Sequence, residues 1–501
     1  MTTVDHPGLP PGEPAAAPGP AGAPDPDTPR VDPSAAGTFP LTSTGWRQLL
    51  IRLHFYAGVL VAPFLVVAAL TGLAYTFTPQ LDRLVYADEL HVDQAGASPR
   101  PLAEQVTAAR AAHPEGTVSA VLTGDGADRT TRVVLDVPEL GEKQRTVYVD
   151  PYTGQVRGAL TTWWGSTPLT TWLDDLHRNL HLGAVGRNYS EVAASWLWVV
   201  ALGGLVLWVA RRRRDRRVRR VLLPDLAARG RRRTMAWHGS VGVWLVVGLL
   251  FLSATGLTWS HYAGENFSAV LDATGSRTPE LDTTLPDQPQ PASAGGGHHG
   301  QSVGEPSASG DALIAGQVDA VLAVARDAGL DGPVEISPPA DAGTAWTVAQ
   351  TDNQWPVRLD QAGVHPESGQ VVRELRWADY PLLAKLTKLG ITAHMGELFG
   401  LANQILLASL MLGLLCVIVW GYRMWWQRRP TRPDRQALVG PPPARGAWRK
   451  LPRPGLAVTV VLTAAVGWAL PVLGVMLLAF LAVDVAVGAV RRTRRAARPP
   501  A

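Results

Sequence analysis

Runs of about 20 apolar residues constrain this chain more than any other feature, because each is long enough to cross the hydrocarbon core of a membrane. Four such runs lie at 55–77, 193–210, 241–259 and 404–422. A fifth apolar stretch, 456–490, is too long for one simple helix and is interrupted by Pro471. Soluble proteins rarely bury so many separate runs of this length, so the sequence predicts an α-helical polytopic membrane protein.

Basic residues near the ends of the runs predict the orientation of the chain. The stretch 211–233 holds twelve Arg against two Asp, whereas 262–393 holds seventeen Asp and Glu against seven Lys and Arg. We therefore expect a multi-pass protein of the cell membrane with both termini in the cytoplasm and two extracytoplasmic regions. The arginine runs lack a folded basic module with interleaved aromatic residues, so we assign them to topology and anionic lipid, with no nucleic-acid partner.

The remaining composition narrows the possible chemistry. Cys416 is the only cysteine and lies inside an apolar run, which excludes internal disulfides, Cys-ligated iron–sulfur clusters and Cys-based zinc sites. Residues 1–44 are rich in Pro, Ala and Gly, and we expect a disordered cytoplasmic tail without a cleavable signal peptide.

The two halves of the chain match each other. When His54 is aligned with His238, Gly58 falls on Gly242, and the "TGL" at 71–73 falls on the "TGL" at 255–257. Each half then continues with one helical pattern and several strand patterns. Two Gly-containing turns, "DPYTGQV" and "HPESGQV", correspond, as do "HLG" and "HMG" before the second apolar run of each half.

This internal repeat predicts four core transmembrane helices, two extracytoplasmic α+β domains and a C-terminal hydrophobic hairpin of two short helices that turns near "WALPVLG". The predicted segments are a disordered tail 1–44, helix 45–79, external domain 80–175, helix 176–210, basic cytoplasmic loop 211–236, helix 237–261, external domain 262–385 with a flexible insert 276–309, helix 386–426, basic cytoplasmic linker 427–453, hairpin 454–490 and basic tail 491–501.

The corresponding turns resemble the PepSY domain. The His-led helices with their "TGL" turn, together with "LHRNLHLG", resemble the PepSY-associated transmembrane family over roughly 45–430. The resemblance implies an iron-regulated membrane protein, similar to ferric-siderophore reductases that hold b-type haem between helices. The PepSY domain itself is named for a proposed role in inhibiting peptidases. This chain departs from the usual turn at His365, where an Asp would stand.

Six of the twelve histidines border or enter the apolar runs, where ionisable residues are costly and usually functional. His54 and His238 are repeat-equivalent at the cytoplasmic ends, and we align His181 with His394 at the outer ends. Two facing helices that each offer a neutral imidazole can clamp a haem iron, so we predict two b-type haems. Four nearby glycines would admit a flat macrocycle. The six histidines are His54, His177, His181, His238, His261 and His394, and the glycines are Gly58, Gly183, Gly242 and Gly396.

The spacing leaves the outer ligand open. His177 lies four residues before His181, on the same helical face, and either residue can serve. His177 can also form part of a third site with His261, which has no counterpart in the first half because Phe77 takes its place.

These features favour a haem-containing membrane oxidoreductase. Its electron donor would be a quinol or a cytoplasmic reductant, and its acceptor a ferric siderophore or another Fe(III) chelate outside the cell. No G-x-G-x-x-G stands at a strand-to-helix turn, which argues against a built-in flavin or nicotinamide module. The alternative is a membrane-anchored PepSY protein, without cofactor, that binds peptides or regulates a secreted peptidase. A metal transporter is less favoured, because the runs contain few polar residues to line a path.

Overall fold

The computed structural model describes residues 44–212, 219–285, 308–430 and 437–496, which belong to one compact unit beginning at Thr44. The predicted disordered tail lies outside the described residues except for Thr44, and so does most of the predicted insert 276–309. The helices are α1 (Thr44–Leu60), α2 (Ala62–Thr76), α3 (Thr78–Val85), α4 (Ala87–Leu90), α5 (Leu102–Ala112), α6 (Pro168–Asn179), α7 (Gly183–Arg212), α8 (Arg219–Leu222), α9 (Gly230–Thr258), α10 (Tyr262–Ala273), α11 (Ala308–Asp327), α12 (Leu382–Met395), α13 (Leu401–Trp426), α14 (Arg453–Ala469) and α15 (Pro471–Ala496).

Four single helices among the described residues are long and apolar enough to span a membrane: α7, α9, α13 and the part of α15 over Pro471–Val490. The first predicted helix, 45–79, is instead divided into two helices, α1 and α2. Together they are long and apolar enough to span a membrane, and they meet at a bend of 55°. Pro63 stands in the first turn of α2, where its missing N–H and bulky ring favour a break after Leu60. The helices α1/α2, α7, α9 and α13 pack against one another as a bundle.

The helices before α7 and α13 also differ from the predicted bounds. The predicted helix 176–210 is divided because α6 ends at Asn179 and the next residue, Leu180, has a left-handed φ of 55°. The predicted helix 386–426 is divided at Gly396, which has a φ of 89°. Glycine adopts this left-handed conformation readily because it has no Cβ atom. The predicted helix 237–261 begins earlier, at Gly230, since the three arginines 231–233 continue the helix.

The C-terminal hairpin contains α14 and α15, which pack together and are separated at Leu470, within the "WALPVLG" segment. Gly467 and Gly474 face each other at the turn, so closely that a Cβ on Gly474 would lie 2.6 Å from the Gly467 carbonyl oxygen. On α15, Asp484 pairs with the buried guanidinium of Arg52 and with Arg445 at 3.2 Å. The hairpin therefore contacts α1 through the Arg52–Asp484 ion pair and through apolar side chains such as Phe480, which packs on Tyr56.

The strands form one antiparallel sheet of eight, in the order β4-β3-β2-β1-β5-β6-β7-β8. Its two halves join at the β1–β5 pair, where Val121 lies opposite Ile336. Helices α5 and α11 pack on the sheet over a single hydrophobic core that draws residues from both halves. The two predicted α+β regions are thus continuous with each other. The strands are β1 (Thr117–Leu122), β2 (Thr131–Asp136), β3 (Gln144–Val149), β4 (Val156–Thr162), β5 (Val334–Ser337), β6 (Trp346–Gln350), β7 (Gln361–Val364) and β8 (Val371–Leu375).

The two matching turns close the outer hairpins of this sheet in the same way. The Asp150 carboxylate accepts hydrogen bonds from the backbone N–H groups of Tyr152 (2.8 Å) and Thr153 (3.1 Å) in the β3–β4 turn. In the β7–β8 turn, His365 Nδ1 accepts from Glu367 (3.1 Å) and Ser368 (3.3 Å). Histidine therefore substitutes for aspartate because an unprotonated imidazole nitrogen is also an acceptor.

Candidate functional site

One pair of histidines lies where the bundle meets its arginine-rich end, and we name it the basic-end pair. His54 on α1 donates from Nδ1 to the Val200 carbonyl on α7 at 3.1 Å. His238 on α9 donates from Nδ1 to the Val417 carbonyl on α13 at 2.9 Å. A backbone carbonyl can only accept, so each Nδ1 carries the proton and each Nε2 keeps its lone pair for a metal.

The separation of the basic-end pair matches two imidazoles that share one metal ion. The ring centroids of His54 and His238 are 6.3 Å apart, and the ring planes are nearly perpendicular at 80°. Metal–nitrogen bonds of about 2.0–2.1 Å and a ring radius of about 1.15 Å give an expected centroid separation of about 6.4 Å. The separation of the two rings is therefore the one expected for two imidazoles that share an ion.

The basic-end pair opens into a cavity of about 430 Å³, within the usual range for a cofactor site. Gly58 and Gly242 line this cavity, and a Cβ built on either would meet no atom within 4 Å. Two further glycines support the rings: a Cβ on Gly204 would lie 2.9 Å from His54 Cε1, and one on Gly421 would lie 3.7 Å from His238 Cε1. A flat ligand can therefore approach the backbone beside both imidazoles.

A second pair, which we name the sheet-end pair, consists of His177 on α6 and His394 on α12. Thr71 Oγ1 donates to the Val67 carbonyl at 2.8 Å, so its oxygen accepts from His177 Nδ1 at 2.9 Å. Thr255 Oγ1 likewise donates to the Phe251 carbonyl at 2.8 Å and lies 2.6 Å from His394 Nδ1. Both imidazoles again keep Nε2 unprotonated.

The sheet-end pair also rests on glycines. A Cβ on Gly72 would lie 3.0 Å from His177 Cε1, and one on Gly256 would lie 3.9 Å from His394 Cε1. Thr71–Gly72 and Thr255–Gly256 belong to the matching "TGL" sequences, which therefore place a hydroxyl and an open surface beside one histidine each. The two segments align in the sequence repeat, but no sequence signal marks their threonines as partners of the histidines.

The two pairs lie at different depths of the bundle. Thr255 follows His238 by 17 residues on α9, which is about 26 Å along a straight helix. The structure thus has one histidine pair near each end of the bundle.

The structure separates the other two candidate histidines from both pairs. His181 has a left-handed φ of 55°, is exposed and stacks on Trp172 with ring centroids 5.0 Å apart. His261 is exposed beside Glu265 at 3.5 Å, in a surface cleft of about 440 Å³ that Arg187 also lines. Threonine contacts therefore make His177, and not His181, the counterpart of His394.

The four glycines predicted to admit a macrocycle also divide. Gly58 and Gly242 line the basic-end cavity, as described above. Gly183 has a φ of 55° at the start of α7, and Gly396 faces the side chains of Gln404 and Leu407. These two glycines serve the ends of helices instead.

Ionisable side chains lie near the sheet-end histidines in sequence, on α6, on α12 and just beyond α12. Burial raises the pKa of Glu397, and the charge of Lys388 opposes that shift. Burial also raises the pKa of Asp174 on α6, while Arg178, at 3.6 Å, opposes the shift. By contrast, the basic-end cavity has no carboxylate among its described lining residues.

No group of three or more His, Cys, Asp or Glu side chains within the described ranges could hold a metal ion by itself. Among the described residues, each histidine pair therefore offers at most two side chains of these types to one metal ion. The described histidines of the sheet region have local partners instead: His91 contacts Asp128 and His113 contacts Glu115, both at 3.0 Å.

A bundle of apolar helices joined to an antiparallel sheet defines the chain as a membrane protein with an extramembrane α+β region. The family described as "PepSY-associated TM region" matches residues 51–428, and the chain belongs to this family. The match includes both histidine pairs and the whole sheet, whereas the C-terminal hairpin lies beyond it. No curated protein matches the chain significantly.

Proposed function

We propose that this membrane-associated PepSY protein is a haem-containing oxidoreductase that passes electrons across the cell membrane to extracytoplasmic ferric iron. The acceptor would be a ferric siderophore or another Fe(III) chelate, and the donor a quinol or a cytoplasmic reductant. Both termini would lie in the cytoplasm, and the bundle and sheet would derive from a duplicated helix–sheet–helix unit. The spacing of His54 and His238 is the observation that carries this proposal.

The residues at the basic-end pair fit a haem. A haem would bring the remaining iron ligands with its own ring, so His54 and His238 would suffice as the protein ligands. His54 and His238 are spaced for this role, and Gly58 and Gly242 leave space beside them. At the other end, His177 and His394 have the same tautomer and the same glycine support, so they would hold the second haem.

A bound b-type haem supplies a one-electron Fe(III)/Fe(II) couple. The protein's contribution is orientation and environment. The Val200 and Val417 carbonyls fix the basic-end rings, and the Thr71 and Thr255 hydroxyls fix the sheet-end rings. Apolar side chains line most of the basic-end cavity, which lowers the local dielectric and limits the access of water.

The test is a reduced-minus-oxidised visible spectrum with a pyridine haemochrome assay on the detergent-purified full chain. We expect a b-type spectrum with two haems per chain. His238→Ala should remove one haem and His394→Ala the other, while His113→Ala, in the sheet region, should retain both. A colourless protein from haem-replete cells would overturn the proposal and favour the cofactor-free alternative that binds peptides or regulates a peptidase.

A further inference from the structure

Four arginines line the basic-end cavity, and each comes from a different helix end of the bundle. Arg47 lies in α1, Arg211 near the end of α7, Arg231 at the start of α9, and Arg428 just beyond α13. The walls between them and His54 and His238 are largely apolar. The cavity thus combines an apolar body, a pair of metal ligands and a strongly cationic rim.

No described carboxylate pairs with any of these four arginines, although other arginines of the chain do find acidic partners. Arg428 lies over the Phe55 ring at 5.2 Å. Burial lowers the pKa of Arg428, and the charge of Arg231, which lines the same cavity, lowers this pKa as well. Anionic groups bound at the rim would replace that repulsion with attraction.

Membrane topology alone explains why arginines are frequent at this end of the bundle. It does not require them to line a cavity, and their neighbours do not. Arg429 stacks on Trp426 at 3.6 Å, and Arg212 lies over Trp208 at 4.4 Å. Neither of these arginines belongs to the cavity lining. The four rim arginines are therefore a selected subset of the basic residues.

We propose that the rim arginines bind the two carboxylates of a tetrapyrrole held between His54 and His238, so that the basic-end cavity selects a dianionic macrocycle. This inference rests on the proposed function. Guanidinium groups suit the task because each can donate two parallel hydrogen bonds to one carboxylate. Arg231 and Arg428 line the same cavity and repel each other, and a bound carboxylate would relieve that repulsion. We therefore expect these two arginines to contribute most to binding the carboxylates.

The first experiment isolates the basic-end cavity with the full-length His394→Ala variant, in which one haem site is removed. Haem retention is measured as the rate of transfer to an excess of a haem-scavenging globin. We expect Arg231→Gln/Arg428→Gln to lose haem roughly tenfold faster or more, because charge-assisted hydrogen bonds are the strong ones. Arg428→Lys should recover part of the retention, and Arg429→Gln is the matched control that should leave the rate unchanged.

The second experiment tests the carboxylates themselves. Chain prepared under haem limitation is reconstituted with iron protoporphyrin IX or with its dimethyl ester, which lacks both negative charges. The unmodified rim should bind the diacid at least tenfold more tightly than the diester, and the double arginine variant should lose most of this preference.

The outcomes separate this inference from the proposed function. Equal binding of diacid and diester, with arginine variants that retain haem normally, would overturn the inference while the histidine-dependent spectrum still supports the proposed function. Absence of a haem spectrum in the unmodified protein would remove both. If retention in nanodiscs depends on the fraction of anionic lipid and not on the ester, the arginines bind lipid headgroups, which also overturns the inference.

Discussion

The histidines in the two halves of the bundle make equivalent hydrogen bonds, although the helices that carry them or their partners differ in shape. In the second half, His238 and Thr255 lie on one uninterrupted helix, α9, whereas the first half bends between His54 and Thr71. Pro63 explains the bend, because its repeat-equivalent is Val247, which imposes no break. The Nδ1 partner is nevertheless a carbonyl for both basic-end histidines and a threonine hydroxyl for both sheet-end histidines, so the orientation of the imidazoles is common to both halves.

The halves also differ in the close support of their imidazoles. The glycines of the first half lie nearer to the rings, with Cβ separations of 2.9 Å at Gly204 and 3.0 Å at Gly72, against 3.7 Å at Gly421 and 3.9 Å at Gly256. The first half therefore has less space around its histidines. It also carries a charge, Arg52, where the second half has the buried Ala236. Each difference leads to a paired experiment.

The largest expected effect distinguishes His177 from His181, the two residues that spacing alone could not separate. We expect His177→Ala to abolish the b-type spectrum of the proposed sheet-end haem, with one haem left per chain in a haemochrome assay. His181→Ala should retain both haems, because its ring is exposed and contacts Trp172 instead. Loss of a haem in His181→Ala with normal content in His177→Ala would show that the ligand is His181.

The next effect concerns Arg52, which is 6% exposed and has Asp484 of α15 as its partner. Asp484→Asn leaves the guanidinium buried without a charge partner, and removing one member of a buried pair typically costs about 3–5 kcal/mol. We expect a clear fall in the thermal unfolding midpoint of the detergent-solubilised protein. Arg445→Gln, which removes only the more exposed partner of Asp484, should have a small effect.

The double variant Arg52→Ala/Asp484→Ala removes both charges of the Arg52–Asp484 pair and leaves at position 52 the residue type found at the aligned position, Ala236. We expect it to recover much of the stability lost in Asp484→Asn, since deleting both partners avoids an isolated buried charge. An Asp484→Asn protein that melts like the unmodified chain would show that the ion pair contributes little.

A smaller effect is expected from the glycines beside the basic-end rings. Gly204→Ala would place a methyl group 2.9 Å from His54 Cε1, while Gly421→Ala leaves an ordinary contact of 3.7 Å to His238. Overpacking of this kind costs about 1–3 kcal/mol. We expect Gly204→Ala to lower thermal stability and to perturb the low-temperature electron paramagnetic resonance spectrum of the proposed basic-end haem. Gly421→Ala should change neither, and equal behaviour of the two variants would remove this difference between the halves.

Much of this architecture could be predicted from local patterns. The apolar runs, the paired turns and the candidate histidines at helix ends all have a strong local signature, and His54 and His238 correspond in sequence as they do in contacts. The left-handed Leu180 and His181 lack such a signature because neither is glycine, so aligning "HLG" with "HMG" pairs His181 with His394. The β1–β5 junction depends on two strand edges more than 200 residues apart, which no local pattern can reveal.

The arginine rim was equally hidden, for a different reason. Arg231 lies in a run that topology already explains, and its distinguishing property is that it lines the cavity together with Arg428. Such a property depends on how the helix ends converge. Local sequence therefore identified the residue types at the site, while helix packing determined which members of each type belong to it.

The smallest expected effect compares the two turns of the sheet. Asp150 is 7% exposed, and its carboxylate accepts two backbone hydrogen bonds, whereas His365 makes the same two contacts with a neutral nitrogen. Hydrogen bonds to a charged group contribute about 1.5–3 kcal/mol and neutral ones about 0.5–1.5 kcal/mol. Asp150→Ala should therefore destabilise its hairpin more than His365→Ala, measured on the full chain as faster amide hydrogen exchange in β3–β4 than in β7–β8. His365→Asp should slow exchange in β7–β8, because it gives the second turn the charged acceptor of the first. If His365→Asp instead speeds exchange there, the imidazole is better matched to its turn than a carboxylate, and the two turns are similar only in outline.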